Sequence, residues 1–166
     1  KSKTYGAADP SLTYTESGLF PDDSITGELI REAGEDAGAY HILQGSVTAG
    51  DNYALTYDTA TLTIDPAALS IGVTAEDKVY DGNREAEVSL SDNRLSEDSL
   101  ILSYTSALFA NKHVGSGKEV SVLGIAVAGS DAGNYLANTE ATDTASISSK
   151  DLLIGISAED KIYNGN

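Results

Sequence analysis

The sequence predicts an all-β chain, rich in strand and poor in helix, made of small antiparallel-sheet domains that follow one another end to end. Apolar residues alternate with polar ones at a spacing of two, as in half-buried strands. Clusters of Gly, Asn, Asp and Ser separate these stretches and suit the tight turns between antiparallel strands. One long segment also recurs near the end of the chain, which indicates repeated units.

The recurring segment marks where units begin. Residues 70–83 read SIGVTAEDKVYDGN and residues 153–166 read LIGISAEDKIYNGN, and the two are identical at nine of fourteen positions. The same alignment matches residues 58–69 with residues 141–152, as expected for consecutive units that end alike. We therefore expect three parts: a first unit without its opening strand at residues 1–66, a full unit at residues 67–149, and the opening strand of a further unit at residues 150–166.

The first unit is a fainter and shorter relative of the second. Tyr5 aligns with Tyr80, and Asp23 aligns with Asp98 at the same separation along the chain. Both units also contain an Asn-Tyr pair that follows a Gly-containing turn. These correspondences indicate a common fold for the two units.

Alternation of apolar and polar residues predicts where the strands lie. The predicted strands are at residues 12–14, 54–57, 62–64, 69–73, 100–105, 120–122 and 125–127. Short helical turns are expected only near residues 19–24 and 95–99.

The joint between the first two units is short. Only residues 65–68, Asp-Pro-Ala-Ala, separate the strand that ends at Ile64 from the one that begins at Leu69. Because the proline ring fixes φ, so brief a connection has little freedom to swivel. We expect the units to form a stiff, elongated pair.

Composition excludes several classes of protein. The chain has 10 Lys and Arg against 26 Asp and Glu, and its net charge of −16 would repel DNA or RNA, so no nucleic-acid partner is expected. The absence of Cys removes disulfides and thiolate-bound zinc, so packing must stabilise each unit. No run of 18 apolar residues occurs, and no membrane insertion is expected in this segment. Patterned sequence begins at Lys1 without a leader pattern, and we expect an excerpt of a larger chain.

Several segments carry a family resemblance. AEDKVYDGN, VGSGKEVSVLGIAVAGSDAGNY and TASI, within residues 69–147, resemble the YDG repeat of bacterial adhesins. KSKTYGAADPSLTY, DSITGELIREAGEDAGAYHI, GDNYALTY and ATLTI, in the first unit, are similar to the MBG domain of YGX type. The first unit is thus identified as an MBG repeat, and the second unit and the final segment as YDG repeats.

The resemblance implies an extracellular protein at the bacterial cell surface or secreted from it, in which such repeats form a stalk. It suggests a β-grasp-like sheet, and the strand count also permits an immunoglobulin-like sandwich. The expected function is that of a non-catalytic, stiff spacer in an adhesin whose partners are neighbouring repeats. The alternative is a module that binds a host glycan or protein.

No residue is predicted to be catalytic, to bind a cofactor or to ligate a metal. His41 and His113 stand alone in different units, with no partner motif for hydrolysis, and an enzyme is not expected. Calcium is the alternative considered, because loop oxygens suit it, although their spacing does not match a calcium-binding loop. The candidate loop residues are Asp22, Asp23, Glu35, Asp36, Asp51, Asn52, Glu97, Asp98 and Asp131.

Tyrosines provide a possible sugar-stacking surface, but their recurrence favours a structural role. Tyr5 corresponds to Tyr80 and Tyr163, and Tyr53 corresponds to Tyr135. Equivalent positions in repeats are those that core or turn-anchoring residues occupy. We expect Tyr135 to pack inward.

The opening strand of a unit is missing from the first unit and is present without its unit at the C-terminal end of the sequence. Residues 69–75 open the second unit, the first unit has no such opener, and Leu152 to Ala158 form an opener without its unit. This mismatch suggests that the C-terminal strand of one molecule completes the first unit of a neighbour by strand addition. The alternatives are that it packs beside its own second unit or frays.

Overall fold

A computed structural model describes residues 1–165, and its secondary structure is almost entirely strand. The first unit contains β1 (Ser2–Thr4), β2 (Ile30–Arg31), β3 (Gly38–Leu43) and β4 (Ala60–Asp65). The second unit contains β5 (Ala67–Leu69), β6 (Gly72–Ala75), β7 (Lys78–Val79), β8 (Val88–Ser91), β9 (Ile101–Ser103), β10 (Ser106–Phe109), β11 (Gly115–Leu123), β12 (Ala126–Ala128), β13 (Tyr135–Ala137) and β14 (Glu140–Ser148). The predicted all-β class is confirmed.

The two units contain the same four-stranded sheet. In the first, the strands lie in the order β1-β4-β3-β2, and in the second they lie in the order β7-β14-β11-β10. Lys3 of β1 lies opposite Ile64 of β4, and Lys78 of β7 lies opposite Ile147 of β14. Because Ile147 also aligns with Ile64 in the sequence repeat, that repeat is a structural repeat as well.

These sheets are mixed rather than purely antiparallel, which corrects the prediction of antiparallel sheets. β1 runs parallel to β4, β7 runs parallel to β14, and β5 runs parallel to β13. Each parallel pair joins the beginning of a unit to its end, and a long stretch of chain between the two strands permits the crossover that parallel pairing requires. The remaining strand pairs are antiparallel.

Each unit has its own apolar core. In the second unit Phe109, Val120 and Ile147 are fully or almost fully buried, and the smaller pairs β5/β13, β6/β8 and β9/β12 enclose a second cluster around Leu69, Ile71 and Val122. The buried residues of the first unit are Ile42, Val47, Leu62 and Ile64. The first unit therefore has the smaller core, as its shorter sequence requires.

Most predicted strands are present, but residues 12–14 and 54–57 form none. Their counterparts in the second unit are β8 and β13, which form two-stranded sheets with β6 and β5. Both β5 and β6 belong to the opening segment, which the described first unit lacks, so residues 12–14 and 54–57 have no partner there to supply ladder hydrogen bonds.

Turns occupy both places where short helical turns were expected. The amide of Asp23 donates to the carbonyl of Phe20, and the amide of Asp98 donates to the carbonyl of Leu95, at 3.1 Å in each case. A 3-10 helix at Ala132–Asn134, which was not predicted, is the helical element within residues 1–165. In that part of the chain no helix has the length and apolar character needed to cross a membrane.

Candidate functional site at the joint between the two units

A tyrosine and an aspartate organise the end of the second unit that faces the first. The hydroxyl of Tyr135, at the start of β13, donates to Oδ2 of Asp98. The Tyr135 hydroxyl oxygen also accepts the backbone N–H of Leu95 at 2.9 Å. This network, the Tyr135–Asp98 pair, fastens the loop after β8 to the strand that follows the Gly-rich turn.

The first unit contributes a second tyrosine to this pair. The ring of Tyr5 lies edge-on to that of Tyr135, with centroids 5.5 Å apart and planes at 77°, a favoured aromatic geometry. The Tyr5 hydroxyl donates to Oδ1 of Asp98 at 3.0 Å, so each oxygen of one carboxylate accepts a hydrogen bond from a different unit. Gly6 follows with a φ of +78°, a conformation that favours glycine, and a Cβ there would also press on Leu95 at 2.7 Å.

Asn134 makes a further contact between the units. It is only 4% exposed, and its Oδ1 accepts the backbone N–H of Ala37 at 2.7 Å. Its Nδ2 donates to Oδ1 of Asp36 at 2.9 Å. The buried amide therefore satisfies its polar atoms with groups from the other unit, and its removal would leave a backbone donor unpaired.

The covalent connection lies beside these contacts. β4 ends at Asp65 and β5 begins at Ala67, with Pro66 alone between them. The amide of Tyr5 donates to the carbonyl of Asp65 at 2.8 Å, which ties the contributing tyrosine to the connection itself. The joint therefore combines a proline-restricted linker with packing and hydrogen bonds on two sides.

The environment of the two tyrosines favours their neutral form. Burial, together with the hydrogen bond to Asp98 and the negative charge of that residue, raises the pKa of the Tyr5 hydroxyl to about 12. Burial and Asp98 also raise the pKa of Tyr135. Both hydroxyls therefore remain hydrogen-bond donors at neutral pH, as the shared carboxylate requires.

The first unit has its own copy of the tyrosine–aspartate pair. The hydroxyl of Tyr53 donates to Oδ2 of Asp23 and accepts the backbone N–H of Phe20 at 3.2 Å. In the second unit the same two roles belong to Asp98 and Leu95. The Tyr53–Asp23 pair is therefore the structural equivalent of the Tyr135–Asp98 pair.

Comparison with protein families gives two matches. Residues 1–63 match the MBG domain (YGX type), and residues 65–145 match the YDG domain. Residues 1–63 therefore belong to the MBG family, and residues 65–145 belong to the YDG family. No curated protein and no solved structure matches it. The boundary between the two matched ranges falls at the joint just described.

Lysines hold the opening turn in both domains. In the YDG domain Nζ of Lys78 donates to the carboxylate of Asp81, to Oδ1 of Asn83 at 2.9 Å and to the carbonyl of Glu85 at 2.7 Å. It also lies 5.5 Å from the centre of the Phe109 ring. In the MBG domain the counterpart Lys3 forms ion pairs with two carboxylates, those of Asp9 and Glu35. These contacts hold the turns in place.

Five of the residues considered for calcium have other partners. Asp23 and Asp98 accept tyrosine hydroxyls, Asp36 accepts the amide of Asn134, and Asp131 accepts the amide of Ser99 at 2.8 Å. Glu35 forms ion pairs with Lys3 and Arg31. Within residues 1–165 no three His, Asp or Glu side chains converge as a group that could hold a metal ion.

The two histidines, which were considered for catalysis, lie in different domains. His41 lies on β3 of the MBG domain, whereas His113 lies in the turn before β11 of the YDG domain. Tyr53 and Tyr135 have the structural role expected from their recurrence, and Tyr135 packs against the YDG core as predicted. The sequence analysis did not predict the contact of Asn134 with the first unit, although the repeated Asn-Tyr pair identified its neighbour Tyr135 as a structural residue.

Proposed function

We propose that this chain is a non-catalytic, stiff spacer from an adhesin on the bacterial cell surface or secreted from it. The observation that carries the proposal is the contact of buried Asn134 with Ala37 and Asp36 across the joint. A flexible tether would need no buried polar contacts between its units, and their loss is costly. The Tyr5–Asp98 hydrogen bond and the Pro66 linker support the same conclusion.

The family matches and the net charge are consistent with a spacer outside the cell. The MBG and YDG family models together match most of the chain. This match supports the proposal that the chain is a repeat module of an extracellular surface protein. The net charge of −16 keeps such a module soluble.

Distance measurements between the domains test stiffness directly. The chain contains no Cys, so spin labels at Asp51→Cys and Lys112→Cys, both exposed, report one distance distribution by double electron–electron resonance. We expect a single narrow distribution for the parent chain and a broader one when Asn134→Ala is added, because that change removes the contact across the joint.

Asn138→Ala is the matched control for Asn134→Ala. Asn138 also accepts a backbone amide at 2.7 Å, but its partner Ile71 belongs to the same domain. We expect this variant to leave the distance distribution unchanged. A broad distribution in the parent chain, as wide as that of an unstructured linker, would overturn the proposal.

A further inference from the structure

The YDG domain contains an open slot between two neighbouring strands. β8 pairs with β6, and β9 pairs with β12, but within residues 1–165 β8 and β9 do not pair with each other. Their chain segments come together at one end, where Glu85 forms a bridge with Leu108 and the amide of Ala86 donates to the carbonyl of Ala107 at 3.0 Å. The slot that remains between the two strands has a volume of about 580 Å³.

Backbone hydrogen-bonding groups line one side of the slot. The amide of Glu76 donates to the carbonyl of Glu87, the residue before β8, at 3.0 Å. Because hydrogen bonding alternates along an antiparallel pair, the N–H and C=O groups of Val88 and Leu90 point away from β6. Both residues line the slot, so these donors and acceptors are available to a ligand.

Both ends of the slot are closed. The bridge between Glu85 and Leu108 closes one end. At the other end Nη1 of Arg94 donates to the carbonyl of Leu100 at 2.7 Å, so this side chain reaches across to the segment before β9. Residues 88–92, which lie between the two closures, span about 14 Å. These dimensions suit a compact ligand rather than an extended chain that runs through the slot.

The side chains that line the slot are amphipathic and carry no net charge. Nε of Arg94 donates to Oδ1 of Asp92 at 2.8 Å, and this contact holds the pKa of Asp92 below its usual value, so the two charges cancel at neutral pH. Leu90 and Leu102 supply apolar surface, and the ring of Tyr104 is 39% exposed. An aromatic face beside hydrogen-bonding groups matches a pyranose, which has apolar C–H faces and hydroxyls that both donate and accept.

We propose that the slot between β8 and β9 binds a neutral hexopyranose, such as the terminal residue of a glycan. The ring of Tyr104 packs on the apolar face of the sugar, and the sugar hydroxyls bond to the backbone groups of Val88 and Leu90 and to the remaining N–H groups of Arg94. The net charge of −16 disfavours acidic sugars. Such binding goes beyond the spacer function and does not depend on it, because the slot lies within one domain.

Protein-detected NMR of the whole chain provides the test. The probes are the methyl pyranosides of glucose, galactose and mannose, with N-acetylneuraminic acid as the acidic comparison. We expect at least one of the neutral pyranosides to shift the backbone amide signals of Val88, Leu90 and Ser103 saturably. N-acetylneuraminic acid is expected to leave these signals unchanged.

Substitutions of Tyr104 locate the binding. Tyr104→Ala should weaken it by about tenfold, whereas Tyr104→Phe should bind like the parent because it keeps the ring. Tyr14→Ala is the matched control, because Tyr14 is 46% exposed but lies in the MBG domain, and it should leave the affinity unchanged. The amide spectrum shows whether each variant is folded. Ser103→Trp, which narrows the slot from β9, should also weaken binding and replaces Tyr104→Ala if that variant unfolds.

Four results would overturn the proposal. The first two are the absence of saturable shifts at the slot with all three neutral pyranosides, and equal weakening by Tyr104→Ala and Tyr14→Ala. The third is a shift of the same size with N-acetylneuraminic acid. The fourth is a shift with an acetylated Thr-Val-Thr-Val peptide where the pyranosides give none, which would assign the slot to an extended chain.

Discussion

At the residue scale, one carboxylate has two tyrosine partners that come from different domains. Asp98 accepts the hydroxyls of Tyr5 and Tyr135, whereas Asp23 accepts that of Tyr53 within the MBG domain. The same residue types therefore support a turn in one repeat and a joint in the next. What distinguishes the two is the Tyr5 ring from the preceding domain.

Alkaline pH should weaken the fold through Tyr5. Its pKa is about 12 in the folded chain and about 10 when unfolded, so the folded state retains the proton longer. The resulting stability is complete below pH 10 and is lost as the pH rises towards 12. Urea unfolding at about pH 8 and about pH 11, on either side of the unfolded pKa, should show a larger decrease for the parent than for Tyr5→Phe. An equal decrease would contradict the assignment.

Part of the joint could be predicted from sequence. The recurrence of Tyr53 as Tyr135 and of Asp23 as Asp98 identified residues with a shared structural role. Asn134 could not be found in this way, because an Asn in a Gly-rich turn has the same local preference whether its side chain faces solvent or another domain. That long-range contact therefore cannot be predicted from the sequence alone.

At the element scale, strand formation in this fold depends on the opening segment. Periodicity predicted β4 and β11 correctly, since their partners belong to the same described unit. It was wrong for residues 12–14 and 54–57, because an alternating pattern shows that a strand can form but not that a partner is available. The parallel edge strands were missed for a related reason: spacing along the chain does not specify direction in a sheet.

Asn138 should be important for holding the opener in the YDG domain. Its Oδ1 accepts the Ile71 amide, and its Nδ2 donates to the Ile71 carbonyl at 3.1 Å, as a strand partner would. Asn138→Ala leaves both groups unpaired in a buried region, which should lower the free energy of unfolding by about 1–3 kcal/mol. Urea denaturation measures the change. A decrease in the free energy of unfolding below about 0.5 kcal/mol would contradict this role, because it would mean that water replaces the hydrogen bonds of Asn138.

At the scale of the whole molecule, the Asp98 site is divided between the two domains. The earlier module supplies the Tyr5 hydroxyl and the later one supplies the carboxylate and the second ring. Recombination that exchanges whole modules therefore preserves the fit wherever the Tyr-Gly turn and the paired Asp and Tyr are retained.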